Sequence, residues 1–145
     1  MAAMRRYFEE VNIGDEVPAF EVKHITRTDI VKYAGASGDF NPIHHDELFA
    51  IRAGNDRVFA MGMMSAGFLS KMVCDFVGRE NLRTFRVRFT SRIWPGDTVI
   101  CSGKVTRKHA TNGEQLIEGE MQAANQRGEV TILGTFAAAL PSRSA

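Results

Sequence analysis

A chain of 145 residues has the length for one domain with a sizeable core, and a single domain over 1–145 is expected. Its 44% hydrophobic and 24% charged residues are the balance of a globular protein in water, and a formal net charge of +1 gives no electrostatic footing for nucleic acid or an anionic membrane surface. No apolar run reaches membrane-spanning length, since the longest, Met61 to Val77, is interrupted by Ser65, Ser70, Lys71 and Asp75. The N-terminal residues are charged with no apolar stretch behind them, which is not the pattern of a secretory signal. Cys74 and Cys101 lie far apart without metal-like spacing and read as buried free thiols of a reducing compartment, so the expected location is the cytoplasm.

In chain order, Ile13-Gly14-Asp15 reads as a turn that launches a strand, with Phe20, Val22 and His24 alternating against Glu21 and Lys23. Thr26-Arg27-Thr28-Asp29 is a short-armed capping box, and the helix it starts has Ile30, Tyr33 and Ala34 on its apolar face. Ser37-Gly38 ends that helix. The next residues, Asp39 to Asp46, cannot be regular helix: Pro42 lacks an N–H and pushes Asn41 toward extended backbone. Such a loop can turn Asp39 and His44 toward one point, where they could share a water. Asp46 is a natural N-cap for a second short helix carrying Leu48, Phe49 and Ile51 and stopped by Gly54. A metal reading of His44-His45-Asp46-Glu47 is weak, because adjacent side chains rarely converge on one ion, and no metal is expected.

Met64, Phe68 and Met72 recur at helical spacing from Met61 to Val77, and Leu69, Val73 and Phe76 widen the stripe, so this helix should be buried. Gly78 ends it. The period then changes to two: Phe85, Val87 and Phe89 face one way, Arg86, Arg88 and Thr90 the other. Pro95-Gly96-Asp97 is a turn before a strand from Thr98 to about Arg107, and Asn112-Gly113 is a hairpin signal before a strand from Gln115 to Ala124. A turn at Arg127-Gly128 leads to a last strand, Val130 to Leu140, and residues 141–145 read as a frayed tail. The order is α+β, and a sheet that wraps a single central helix buries both economically.

The run Ser37-Gly38-Asp39-Phe40-Asn41-Pro42-Ile43-His44-His45-Asp46 resembles the signature S-G-D-x-N-P-x-H-x-D of the MaoC-like, (R)-specific enoyl-CoA hydratase family at every fixed position. The resemblance spans nearly the whole chain. It implies a hot-dog fold, an antiparallel sheet wrapped around one long central helix. It also implies (R)-specific hydration of trans-2-enoyl-CoA, or the reverse dehydration of 3-hydroxyacyl thioesters. Asp39 would orient the water and His44 would exchange a proton with it. Met61-Gly62-Met63 stands where the family carries His-Gly-Met, so the Gly62 N–H is the implied donor to the thioester oxygen, and Met61 departs from the usual histidine. Ser70 falls where family members can have a serine near the aspartate; the other reading is a hydroxyl bonded to its own helix. Asn41 either borders the substrate or, as Asn often does before Pro, holds the turn. Arg86 and Arg88 could meet coenzyme A phosphates or be the solvated face of a strand.

No cofactor is implied beyond the coenzyme A thioester as substrate. The implied partners are an acyl-CoA or acyl carrier protein thioester and a second subunit, as a homodimer or as a hetero-oligomer with a related hot-dog chain. Two other readings remain: thioester hydrolysis, which other hot-dog proteins perform, and a non-catalytic acyl-thioester-binding subunit.

Overall fold

The apolar segment is a helix where its periodicity places it, and everything else is arranged to cover it. In the computed structural model, which describes residues 6–143, the elements are β1 (Glu16–Val22), α1 (Arg27–Ser37), α2 (Glu47–Arg52), α3 (Gly62–Val77), β2 (Leu82–Phe89), β3 (Val99–Thr111), β4 (Glu114–Ala124) and β5 (Val130–Ala139). The strands form one antiparallel sheet in the order β1-β3-β4-β5-β2. α3 packs against all five strands. Leu69 and Val73 are fully buried on the helix, facing a core that includes Cys101, Val105, Ile117, Met121, Ile132 and Phe136 from the strands. Each such aliphatic side chain contributes about 1.5–3 kcal/mol by leaving water.

Glycines on the inner face let the sheet close around the helix. Gly119 on β4 pairs with Phe136 on β5, and a Cβ at 119 would stand 2.3 Å from the Phe136 ring and 2.6 Å from the Lys104 carbonyl oxygen. Gly103 and Gly134 flank Met121 in the same way on β3 and β5. Large side chains thus lie over bare backbone on neighbouring strands. Strand glycines of this kind mark close approach.

Local signals set the ends of the elements. Thr26 caps α1 by accepting from the Asp29 N–H at 3.1 Å, while the Asp29 carboxylate accepts from the Thr26 N–H at 2.8 Å. Asp46 caps α2 by accepting from the Phe49 N–H at 3.0 Å. Asn112 and Gly113 both have positive φ, 49° and 77°, as the tight β3–β4 hairpin requires. Asp15 and Asp97 make the same turn, each carboxylate accepting from the N–H three residues earlier.

Several expectations are corrected. β1 stops at Val22, and His24 lies beyond it, exposed, with φ 52°. β3 runs on to Thr111, four residues past Arg107, because the hairpin keeps it paired with β4. Leu48, Phe49 and Ile51 are exposed, and Ala50 is the buried residue of α2. Cys74 is only partly buried, whereas Cys101 is fully buried. Residues 141–143 are held rather than frayed: the Pro141 carbonyl accepts from the Phe8 N–H at 2.9 Å, and Arg143 pairs with Glu10. The rest of that tail, and residues 1–5 of the N-terminal segment, lie outside the described residues.

Gly119→Ala is expected to destabilise the fold by about 3 kcal/mol in urea unfolding, because neither the Phe136 ring nor the Lys104 carbonyl can retreat. Burial pushes the Cys101 thiol up to about 12 from an ordinary 9.0. Its thiolate is therefore scarce at pH 8, and iodoacetamide should label Cys101 only on unfolding. Because the native thiol holds its proton longer than the unfolded one, this residue's contribution to stability declines as pH rises above 9.0 toward about 12.

Candidate active site

The loop after α1 is built from side chains that bond its own backbone. Gly38 caps α1 in the left-handed region at φ 74°. The Ser37 hydroxyl donates to the Tyr33 carbonyl at 2.7 Å and accepts from the Asp39 N–H at 3.1 Å. Asp39 Oδ1 accepts from the Asn41 N–H, and Asn41 Oδ1 accepts from the Ile43 N–H, both at 3.2 Å. Pro42 opens a single 3-10 turn, Pro42–His44, that swings the His44 ring inward. These Asx turns are what Asp, Asn and Pro at these spacings favour.

The consequence is a definite geometry. His44 is 8% exposed, and its Nδ1 lies 2.7 Å from the Phe59 carbonyl oxygen. A carbonyl can only accept, so Nδ1 carries the proton and Nε2 of the neutral ring is a free base. The Phe59 ring stands edge-on to the imidazole at 5.0 Å, which fixes its plane. Nε2 faces Asp39 Oδ2 at 3.8 Å. That is too long for a direct hydrogen bond, and a water about 2.8 Å from each atom fits between them. Asp39 thus spends one oxygen on the loop and presents the other, on a side chain 44% exposed, to the histidine.

The same atoms border a cavity of about 410 Å³ that also reaches Phe59, Met61, Gly62, Ser65 and Phe89. Gly62 is the first residue of α3, and its N-cap, Met61, supplies no side-chain bond. The Met64 N–H donates to the Met61 carbonyl at 3.1 Å, whereas the N–H groups of Gly62 and Met63 have no intrahelical acceptor and sit at the positive end of the helix. Asp39, His44 and Gly62 are therefore brought to one cavity. Asn41 is not: its side chain holds the turn. Ser70 is two turns along α3, and its hydroxyl donates to the Gly67 carbonyl at 2.9 Å, outside the cavity lining. His45 sits at the surface with Nε2 at 3.2 Å from the Phe40 carbonyl oxygen. Arg86 and Arg88 line a larger groove of about 1050 Å³ on the outer face of the sheet, away from Asp39 and His44. That groove has more volume, but its other charged residues are Glu16, Lys104 and Glu120 and its lining includes no histidine and no helix N-terminus, so the smaller cavity is the chemical candidate.

Two participants escaped the sequence reading. The Phe59 carbonyl that sets the His44 tautomer is backbone and leaves no sequence signal. Ser65 is a buried, cavity-lining hydroxyl, and its place three residues after Gly62, on the same helix face, could have found it.

A curled antiparallel sheet around one helix, with an acid–base pair at the helix N-terminus, defines a hot-dog domain of the hydratase kind. Residues 8–127 match the MaoC like domain, and the chain belongs to that family. It is similar to the (R)-specific enoyl-CoA hydratase of Rhodospirillum rubrum, at 39% identity over 134 residues covering 79% of this chain and 88% of that one. Among solved structures, the R-hydratase PhaJ1 of Pseudomonas aeruginosa superposes with a TM-score of 0.81 at 23% identity, over 94% of this chain and 86% of that one, and shares the fold. The ChsH1–ChsH2 complex of Mycobacterium tuberculosis superposes with a TM-score of 0.75 at 25% identity, over 89% of this chain and 98% of that one. Fungal fatty acid synthase β subunits, including that of Gibberella zeae, also match, and the chain spans about 6% of their length. No described helix is long and apolar enough to cross a membrane.

A Cβ at position 62 would lie 2.7 Å from the Phe89 ring, so Gly62→Ala must push that ring aside. The expected cost is about 1 kcal/mol in unfolding experiments, and it should vanish in a Phe89→Ala background, where the space is free.

Proposed function

We propose that this chain adds water to trans-2-enoyl thioesters, (R)-specifically, and removes it from 3-hydroxyacyl thioesters in the reverse direction. The observation that carries the reading is the meeting of His44 Nε2, Asp39 Oδ2 and the open first turn of α3 on one cavity. Likeness to the Rhodospirillum rubrum hydratase supports the reaction class and its stereochemistry.

Water held between Asp39 and His44 loses a proton to Nε2 as its oxygen bonds to Cβ of the substrate. The π electrons of the double bond move toward Cα, and negative charge builds on the thioester oxygen, where the Gly62 N–H at the helix end stabilises it. The imidazolium, steadied by the Asp39 carboxylate, then returns its proton to Cα. The sum is H and OH added across the double bond, with His44 back in its starting tautomer. No cofactor is needed in this scheme beyond the carrier that the substrate brings, coenzyme A or acyl carrier protein.

A second subunit is part of the proposal. β2 leaves one edge of the sheet unpaired, and Phe40, Met63 and Phe89 are exposed around the site. Such an edge and apolar rim suit a second copy or a related hot-dog chain. A reducing compartment such as the cytoplasm suits two free thiols.

The test is hydration of trans-2-enoyl-CoA substrates of graded chain length, followed by loss of the conjugated thioester absorbance. Asp39→Asn and His44→Ala should each lower kcat by about 10²–10⁴ with folding retained. Release of free thiol without hydration would move the assignment to thioester hydrolysis, and neither activity on any substrate would leave a binding subunit.

A further inference from the structure

The first turn of α3 contains a hydroxyl that the protein itself does not use. Ser65 is 2% exposed, and no described residue forms a hydrogen bond with its side chain. Its oxygen is nevertheless not sealed in the interior, and the residue lines the cavity bordered by Asp39, His44 and Gly62. A buried helical serine ordinarily spends its hydroxyl on a carbonyl three or four residues back, as Ser70 does on Gly67. A hydroxyl with no protein partner that is reached from the cavity takes its acceptor from whatever occupies that cavity, water or a substrate oxygen.

Direction narrows what that acceptor is. Position 65 is three residues after Gly62 and shares its helix face, and the Cα–Cβ bond of a helical residue tilts toward the N-terminus. The Ser65 side chain therefore leans over the turn that holds the unpaired N–H groups of Gly62 and Met63. An O–H, an N–H and the positive end of a sixteen-residue helix point into the same part of the cavity. All are donors or positive, and none offers a base. A carbonyl oxygen that gains negative charge is the group that satisfies them together.

We propose that the Ser65 hydroxyl is a second donor, beside the Gly62 N–H, to the thioester carbonyl oxygen of the substrate. This rests on the hydratase reading above and adds a residue to it. Ser65 keeps its proton throughout: as the water oxygen bonds to Cβ, the displaced π pair places charge on the thioester oxygen, and the hydroxyl tightens onto that charge. A bond that strengthens as charge develops acts on kcat more than on KM.

The experiment compares wild type with Ser65→Ala, Ser65→Cys and Ser65→Thr on trans-2-enoyl-CoA. Cysteine keeps the bulk and loses most donor strength, whereas threonine keeps the hydroxyl and adds bulk. The expected result is a fall in kcat of about a hundredfold for Ala and Cys with KM little changed, and near wild-type kcat for Thr. A second readout does not depend on turnover. A dialkylaminocinnamoyl-CoA bound to wild type should absorb at longer wavelength as its carbonyl is polarised, and that red shift should shrink in the Ala and Cys variants. Wild-type kcat and an undiminished red shift in both variants would overturn the proposal. So would an active Cys variant beside an inactive Thr variant, since packing alone would then explain the site. A wild type that hydrates no enoyl-CoA would instead overturn the hydratase reading on which the proposal stands.

Discussion

A sixteen-residue helix that is apolar around most of its circumference cannot be left against water, and the burial of α3 is the constraint on which the other parts depend. A flat sheet would cover one side of such a helix. The five-stranded sheet covers more because its inner face alternates bulk with bare backbone, Phe136 over Gly119 and Met121 between Gly103 and Gly134. On the helix, the small side chain of the buried Ala66 takes little room against the core. Register shifts in all four strand pairings, as between Val17 and Phe20 and between Val105 and Arg107, add bends to this packing.

Enclosing the helix leaves its N-terminal end as the place where polarity must be managed. The N–H groups of Gly62 and Met63 have no partners within the helix, and Met61 brings no side-chain oxygen to cap them. Most helices in this chain are closed at that point by a threonine or an aspartate, as α1 and α2 are. α3 is open there and faces a cavity. An uncapped helix end forgoes about 1 kcal/mol of stability, and such an opening is suited to an oxygen that carries charge. The loop from Ser37 to His44 brings Asp39 and His44 to that opening on hydrogen bonds mostly internal to the loop, with the His44 ring held by Phe59.

The elements were legible in the sequence where a local rule decides them. Thr26 and Asp46 name helix starts, Asn112-Gly113 names a hairpin, and the switch from helical to alternating period after Gly78 separates helix from sheet. Asp39 and His44 were legible because the loop that joins them is built from short-range hydrogen bonds written in Ser, Asp, Asn and Pro. What was not legible depends on chain segments far apart in sequence. The Phe59 carbonyl that sets the His44 tautomer is one case. The inner-face glycines are another, since nothing at position 119 announces that Phe136 will lie over it. His24 was misplaced because alternation continues past the point where pairing with β3 ends, and of the two readings of Ser70 the hydroxyl bonded to its own helix is the one seen.

Gly62 shows why a residue's identity can support more than one account. Its φ is not in the left-handed region, so backbone freedom does not require glycine there. The Phe89 ring favours it, lying where a Cβ would be. A glycine at this position is therefore expected for packing even in a protein with no chemistry to perform, and its presence is weak support for a donor. The stronger support is what packing does not explain. Packing gives no reason for α3 to begin without a cap, for the His44 ring to be held with its basic nitrogen toward the same space, or for a buried serine one turn further on to keep its hydroxyl uncommitted. These three features meet on one cavity, and a bound oxygen with a proton in transit, as proposed above, would account for them together.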